Sequence, residues 1–435
     1  MKNLSEIQSV RLDQIVGGGQ TIATLEDGRK AFVWGGLPGE IVSLRVTKKK
    51  SRMIEAIVTN VELPSKERVK PRDPDSYLST SPWQIMSLAT ENHYKAALIE
   101  EAFELHDIVL PNKIDIFSDD NDYHYRNKVE FSWYSDSTPS GDTLDLAFFR
   151  RGSKGKIIVE NSALLPPVVM SLACEIRNFL RRKKLSARQL KTLLIRCDQK
   201  GNCVWQLYSK QTDCPYITAE EASQFSAQGG EVIYSDSRSP ASIISERLLQ
   251  VGDLKLTDSI CNVDFNYVAE SFFQVNLPIY EQALKDMSAF VDHKHQTVDL
   301  YSGVGTIGLT IGGNNCTLVE LNPHAVDEMK ANIMRLNIQA TAVLAASEDA
   351  LEYIEAEKII IVDPPRAGLH TNVVDRLLDK KPPRIIYLSC NPVTQARDIA
   401  LLCGDGSYGI KHHKGYNFFP HTPHIEHLIV LDRKN

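Results

Sequence analysis

DLYSGVGTIGLTIG, residues 299–312, is the stretch on which the fold turns. An apolar run delivers an acid, Asp299, and then Tyr301, Gly303 and Gly305, after which a helical apolar pattern begins near Thr306. Glycine has no Cβ, so the backbone at 303 and 305 can approach a ligand, and the free amides of the next helix favour polar or negative groups. Alone, such a unit serves dinucleotide folds and other nucleoside-cofactor folds alike. Glu320, which ends LVEL 21 residues after Asp299, adds a carboxylate able to accept both ribose hydroxyls of an adenosine, as in NAD and S-adenosylmethionine sites.

Working outward, TVDLYSG, CTLVELN, IIIVDPP and RIIYLSC are short β-branched, apolar runs, each delivering polar residues or glycine at its C-terminal end. Buried parallel strands have this composition because helices cover both faces of their sheet, and ligands bind beyond the carboxyl ends of the strands. The third run continues into VDPPRAG, residues 362–368. An acid and two prolines have no obvious use in a dinucleotide oxidoreductase. In a methyl-transfer site, a rigid Asp363-Pro364-Pro365 turn can hold carbonyls near a flat substrate and a sulfonium; on the plainer reading the prolines end the strand and Arg366 makes a surface ion pair. The fourth run leads into YLSCNPVT, residues 387–394, where Cys390 has three readings: packing, metal ligand or nucleophile.

The chain has 435 residues, enough for two or three domains, and 43% hydrophobic with 24% charged residues is the balance of a folded soluble protein. The N-terminus lacks the apolar core of a signal peptide and no segment has 18 uncharged apolar residues, so a cytoplasmic protein without a membrane span is expected. Eight cysteines without a close CxxC pair fit a reducing compartment better than a disulfide framework. A net charge of -6 argues against wholesale coating of nucleic acid. Yet Ile176 to Cys197 carries eight basic residues and no acid (Arg177, Arg181, Arg182, Lys183, Lys184, Arg188, Lys191, Arg196). That run is either a confined RNA-facing surface or a solvated helix face. Residues 1 to about 65 alternate like a small closed β-barrel, the spacing from Ala89 to about Leu110 is helical with Leu98, Ala102 and Leu105 on one face, and the middle reads as a mixed α/β platform.

DLYSGVGTIGL, VDPPRAGLH, YLSCNPVTQARDI and FFPHTPHIEHLIVL, in that order, resemble the RNA uracil-C5 methyltransferases, class I S-adenosylmethionine enzymes that make 5-methyluridine. FFQVN at 272–276 and YRNKVEFS at 125–132 resemble further segments of that family, and the N-terminal region resembles its TRAM domain. The resemblance implies an α/β fold: a Rossmann-like class I methyltransferase domain (91–119 and 265–435), a mixed α/β central RNA-binding domain (66–90 and 120–264) and a TRAM-like, OB-type β-barrel (1–65). It implies Cys390 as nucleophile and Glu426 as base. S-adenosylmethionine would be held by Gln274, Asp299, Tyr301, Gly303, Gly305, Glu320 and Asp363, and substrate by Arg126, Lys128, Pro364 and Asn391, with Asp363 also orienting the uracil. The implied partner is RNA, 23S ribosomal RNA first and transfer RNA (uracil-54) second, acted on by a monomer.

The chemistry agrees with that resemblance. Carbon 5 of uracil is too poor a nucleophile to take a methyl group directly; a thiolate added to carbon 6 makes it one, and a base must then remove the carbon 5 proton so that the thiol can leave. His421, His424 and His427 are not spaced as a recognised ligand set in a strand, so no metal is expected. Many relatives hold a 4Fe-4S cluster on four cysteines. Here Leu78 and Ser81 stand at two of those positions and Ser162 at the fourth, so no iron-sulfur cluster is expected, with Trp83 a candidate for the missing packing. Asn417 replaces the usual Asp near the base.

Overall fold

The computed structural model describes residues 6–139, 141–239 and 241–434. It divides into two compact units, one of Met1–Glu91, Asn121–Leu256 and Pro420–Pro423, the other of Asn92–Asp120, Thr257–Phe419 and His424–Asn435.

The first unit holds two large sheets and a small hairpin of Ser137–Thr138 with Gly141–Asp142. Six strands between Glu6 and Leu63 follow the order Glu6–Arg11, Ile41–Lys49, Met53–Leu63, Lys30–Trp34, Thr21–Thr24, Gln14–Ile15. Alternate residues such as Val42, Leu44 and Val46 point into one core. The sheet curls into a half-barrel whose ladder stays open among the described residues, because Gln14–Ile15 is too short to pair onward. The second sheet has seven strands, with Lys128–Tyr134 next to Leu190–Cys197 and Cys203–Ser209. One face packs Phe131, Ile195 and Trp205 against helix Pro167–Arg182. That helix starts at a proline, tolerated in the first turn, and buries Val169, Leu172, Ala173, Ile176 and Leu180 at three-to-four-residue spacing.

The basic run is partly consumed inside this unit. Arg177 pairs with Glu160 at 2.9 Å, Arg181 with Asp145 and the Leu144 carbonyl, and Lys183 with Glu221 at 2.5 Å. Lys191 donates to Ser235 and to the carbonyls of Asp236, Ser239 and Ala241, while Arg196 is fully buried. Of the eight, Arg181, Arg182, Lys183, Lys184 and Arg188 are exposed. Folding thus divides the run: Arg181 to Arg188 keep an exposed basic stretch, while Arg177 and Lys191 turn to an acid and to carbonyls that counting charges along the chain cannot see.

Around Ser81 and Ser162 the chain builds a buried hydrogen-bond network. Ser81 is fully buried and its hydroxyl accepts from Gln84 Nε2 at 2.7 Å. Gln84 also donates to Asp73 Oδ2 at 2.9 Å and accepts from the Asp73 amide at 3.0 Å. The Asp73 carboxylate takes the amide of Ala163, the residue after Ser162, at 2.9 and 3.0 Å. Trp83, 2% exposed, donates its indole to the Gly19 carbonyl. Three loops distant in sequence are thus tied by neutral and charge-assisted bonds. Asp73→Ala strands the Ala163 amide and a Gln84 donor in a buried place. We expect it to cost about 2–4 kcal/mol, read as a lower urea midpoint at unchanged slope.

The second unit is an eight-stranded sheet in the order Ala340–Leu344, Cys316–Glu320, Thr297–Leu300, Ile359–Val362, Arg384–Ser389, Glu426–Arg433, Tyr408–Tyr416, Ile116–Phe117. The first five are parallel, and Glu426–Arg433 runs antiparallel to both neighbours. Strand order reverses at Thr297–Leu300, where an open sheet forms its ligand crevice. The helix expected from Ala89 to about Leu110 spans Leu88–Glu104, ending before Asp107 at φ 58°. Leu98 and Ala102 are buried, whereas Leu105 lies beyond the helix and is exposed.

A row of imidazoles is buried in this unit. His427 Nδ1 meets Gln395 Oε1 at 2.8 Å, its Nε2 meets His413 Nδ1 at 3.5 Å, and His413 Nε2 meets the Asn112 carbonyl at 3.0 Å. Burial first, then the neighbouring histidines, hold His427 well below the ordinary histidine range, and burial lowers His413 too. The unfolded chain therefore binds protons near pH 6.5 that the folded one refuses. Stability contributed here is complete above that pH and falls below it, by about 1.4 kcal/mol per unit for each histidine that stays neutral. Urea titrations at pH 8 and pH 5.5 measure the slope, which His427→Gln should flatten.

Candidate active site

The glycine loop is shaped by backbone that few residues adopt. Tyr301, Gly303 and Gly305 have φ of 65°, 56° and 88°. Nothing lies within 4 Å of where a Gly303 Cβ would stand, so the loop leaves open room that a ligand can enter. Asp299 is fully buried behind the loop, its Oδ2 accepting the Gly308 amide at 2.9 Å while Oδ1 has no partner. Burial raises its carboxyl to about 8, with the Asp363 charge adding to the rise. It braces the helix Thr306–Ile311 from beneath and lines neither cavity described next.

Two cavities meet at Tyr301. The larger, about 700 Å³, is bordered by Glu320, Leu321, Ser347, Glu348 and Pro365 at the tails of successive strands. The smaller, about 30 Å³, is bordered by Gln274, Tyr280, Gly303, Thr306 and Asp363. Glu320 presents one oxygen to the Gly303 amide at 2.9 Å and the other to Asn322 at 2.8 Å. A half-buried carboxylate beside a glycine loop, an exposed Leu321 and the large cavity at the strand tails suit a ribose and a flat base, as in S-adenosylmethionine. Ser347 and Tyr280 were absent from the sequence reading, and Thr306 entered it only as the start of a helix. Ser347 follows the poorly marked strand Ala340–Leu344, and the Tyr280 hydroxyl reaches Thr306 Oγ1 at 2.7 Å only through folding.

The reactive groups gather at the same edge by strand register. Ser389 pairs with His427 in the antiparallel ladder, so one more step sets Cys390 across from Glu426. Asp363 follows the adjacent strand, whose Val362 pairs with Tyr387. Cys390 is half-buried and its thiol is raised to about 11 by burial, then by Glu426 and Asp363, with Arg366 opposing. Burial raises Asp363 to about 7. Glu426, 5% exposed, is pushed well above the carboxylate range by burial and then by Asp363; Arg366 and Lys95 pull the other way.

Asn391 ties this edge together: its Oδ1 accepts from Val393, capping helix Pro392–Cys403, and its Nδ2 donates to the Arg366 carbonyl at 2.9 Å. Pro364 is buried within the same turn. Asn417 is fully buried, accepting from Lys95 Nζ at 2.6 Å and donating to Asn92 at 2.9 Å, so the amide serves two partners where an acid would serve only the lysine. Arg126 and Lys128 belong to the other unit, where Arg126 Nε donates to the Lys128 carbonyl and Lys128 pairs with Arg196. His421 also belongs there, stacked on Tyr123 and bonded to Asp122 at 3.1 Å. His424 lies with Arg366, Nδ1 to Nη2 3.3 Å. The three histidines of the terminal motif thus have separate partners.

Comparison with known proteins gives matches along the whole chain. The tRNA (Uracil-5-)-methyltransferase family matches residues 348–434, which include Asp363, Cys390 and Glu426, and Conserved hypothetical protein 95 matches residues 280–388. An uncharacterized RNA methyltransferase of Enterococcus faecalis is 27% identical over 430 residues, covering 92% of each chain. One from Bacteroides thetaiotaomicron is 27% identical, covering 95% of this chain and 99% of its own. The crystal structure of the Pyrococcus abyssi tRNA (uracil-54, C5)-methyltransferase with S-adenosyl-L-homocysteine superposes with a TM-score of 0.79 at 21% identity, over 98% of this chain and 100% of that one, which establishes the shared fold. The motifs in their order, the strand arrangement and these matches together support an RNA uracil-C5 methyltransferase family as the one this chain is similar to.

Proposed function

We propose that this protein methylates carbon 5 of one uridine in 23S ribosomal RNA through a covalent bond from Cys390 to carbon 6, with Glu426 removing the carbon 5 proton. The observation that carries this reading is the register that sets Cys390 across from Glu426 at the edge holding Asp363. Bound S-adenosylmethionine supplies the methyl group. Glu320 would hold its ribose, Gln274 and Asp363 would meet its methionine end, Tyr301 and Gly303 would form the wall between, and Asp299 and Gly305 would keep the loop in shape.

Cys390 is a thiol at neutral pH, so its proton leaves only as sulfur attacks carbon 6, passing to a carboxylate whose proton affinity burial has raised. Electrons pushed toward the uracil oxygen return through carbon 5 to form the new carbon-carbon bond. Glu426 then takes the carbon 5 proton in its ionised form, which burial disfavours and the charges of Arg366 and Lys95 favour, so that the ring double bond re-forms and Cys390 departs with its electron pair. Pro364 and Asn391 shape the floor beside the ring, Asp363 orients it, and Arg126 and Lys128 meet RNA phosphates. A base stacked in folded RNA must be turned out to reach such a site.

A second target, the uridine of the transfer RNA T-loop, is favoured by the description of the matching family. Mapping 5-methyluridine in total RNA from cells with and without the gene separates the two. Loss at one 23S position supports the first, loss at position 54 of transfer RNA transfers the function to the second, and an unchanged map overturns both.

A further inference from the structure

In the first unit, the hairpin of Leu190–Cys197 and Cys203–Ser209 ends one strand and begins the other with cysteine, and Cys197 and Cys203 are direct partners. The amide of Asp198 donates to the Asn202 carbonyl at 3.0 Å, making 198 and 202 a hydrogen-bonded pair. Pairs alternate along an antiparallel ladder, so Cys197 and Cys203 form a non-hydrogen-bonded pair, whose Cα atoms stand about 4.5 Å apart with side chains at closest approach. Disulfides span Cα separations of about 4.4–6.8 Å, so this position needs little backbone movement. Both side chains lie in the core beneath the sheet and no disulfide joins them. A hydrogen bond from Cys197 holds the Cys203 thiol below its ordinary value against the opposing effect of burial. No other two cysteines face each other in a ladder among the described residues.

We propose that Cys197 and Cys203 are a modification site, a cross-strand dithiol that a small disulfide of the glutathione class oxidises reversibly. The thiolate of Cys203 attacks one sulfur of the small disulfide, forming a mixed disulfide and releasing one small thiolate. Cys197, losing its proton, attacks the Cys203 sulfur and expels the second small thiolate. Two protein thiols are oxidised, one disulfide is reduced to two thiols, and the two protons end on the released thiolates. Both thiols are buried, so the small disulfide reaches them only when the turn opens. Gln199, Lys200 and Asn202 are exposed, and the turn is held by the Asp198 carboxylate, which accepts the amides of Lys200 and Asn202 at 2.9 and 2.8 Å. The consequence reaches the strand beside it, since the Cys197 amide donates to the Asn127 carbonyl at 2.9 Å, between Arg126 and Lys128.

The test uses the full native chain. After exposure to glutathione disulfide and alkylation of remaining thiols, trypsin cuts behind Arg196, Lys200 and Lys210, leaving the two cysteines on CDQK and GNCVWQLYSK. The expected main product is these two peptides joined, lighter than their sum by two hydrogens and separated again by dithiothreitol. In Cys197→Ser the second attack is lost, so a glutathione adduct on Cys203 should accumulate. The proposal is overturned if both cysteines are recovered alkylated from native protein while urea-unfolded protein cross-links, if either is recovered joined to a different cysteine, or if wild type stops at the Cys203 adduct.

Discussion

Cys390→Ala is expected to abolish methyl transfer to a uridine-bearing transcript, by on the order of 10⁴-fold or more, since carbon 5 has no other route to nucleophilic character. Transfer of labelled methyl groups measures it. Affinity for S-adenosylmethionine, read by calorimetry, should stay within about twofold of wild type, because Cys390 borders neither cavity. The pairing of these results matters: a variant that merely failed to fold would lose both. Serine at the same position should be as inactive as alanine, because an alkoxide is far harder to form than a thiolate. Turnover by the alanine variant would sink covalent catalysis through this residue.

Glu426→Gln should fail at the opposite end of the cycle. The thiol can still add and the methyl group can still arrive, but the proton on carbon 5 has no acceptor, so sulfur cannot leave. Turnover should fall by about 10²–10⁴-fold, the range of a positioned general base. A protein-RNA species carrying the label should persist on a denaturing gel, which wild type would show only transiently. Glutamine keeps the volume of the side chain and removes a buried acid flanked by Asp363, so destabilisation is not expected to mask the result. Free release of methylated RNA at the wild-type rate would remove Glu426 from its role.

Much of the methyltransferase sheet was legible because its strands are buried on both faces. Ile359–Val362 is apolar at every position, and such a run ending in Asp-Pro-Pro has few other placements. The glycine loop was legible because its backbone demands glycine at 303 and 305. What escaped was everything set by partners remote in sequence. Asp73, Gln84 and Ala163 look like ordinary loop residues until folding joins them. Arg177 and Lys191 look like a surface until their acids and carbonyls are seen. Asp299 stands in the motif where a cofactor ligand is expected, and its bond from the Gly308 amide is supplied only by folding. Cys390 and Glu426 were singled out by motif, but the one-step extension that faces them comes from an antiparallel strand, whose direction no local pattern announces.

Tyr301 sits in left-handed backbone, φ 65°, where a side-chain-bearing residue costs about 1 kcal/mol or more. Its ring borders both cavities, so glycine, the residue that would relax the loop, would also remove the wall between them. The loop therefore sits below its attainable stability for as long as that wall is needed. Tyr301→Gly is the kind of change a stability screen would retain and an activity screen discard. Heat resistance and cofactor grip pull this one position in opposite directions.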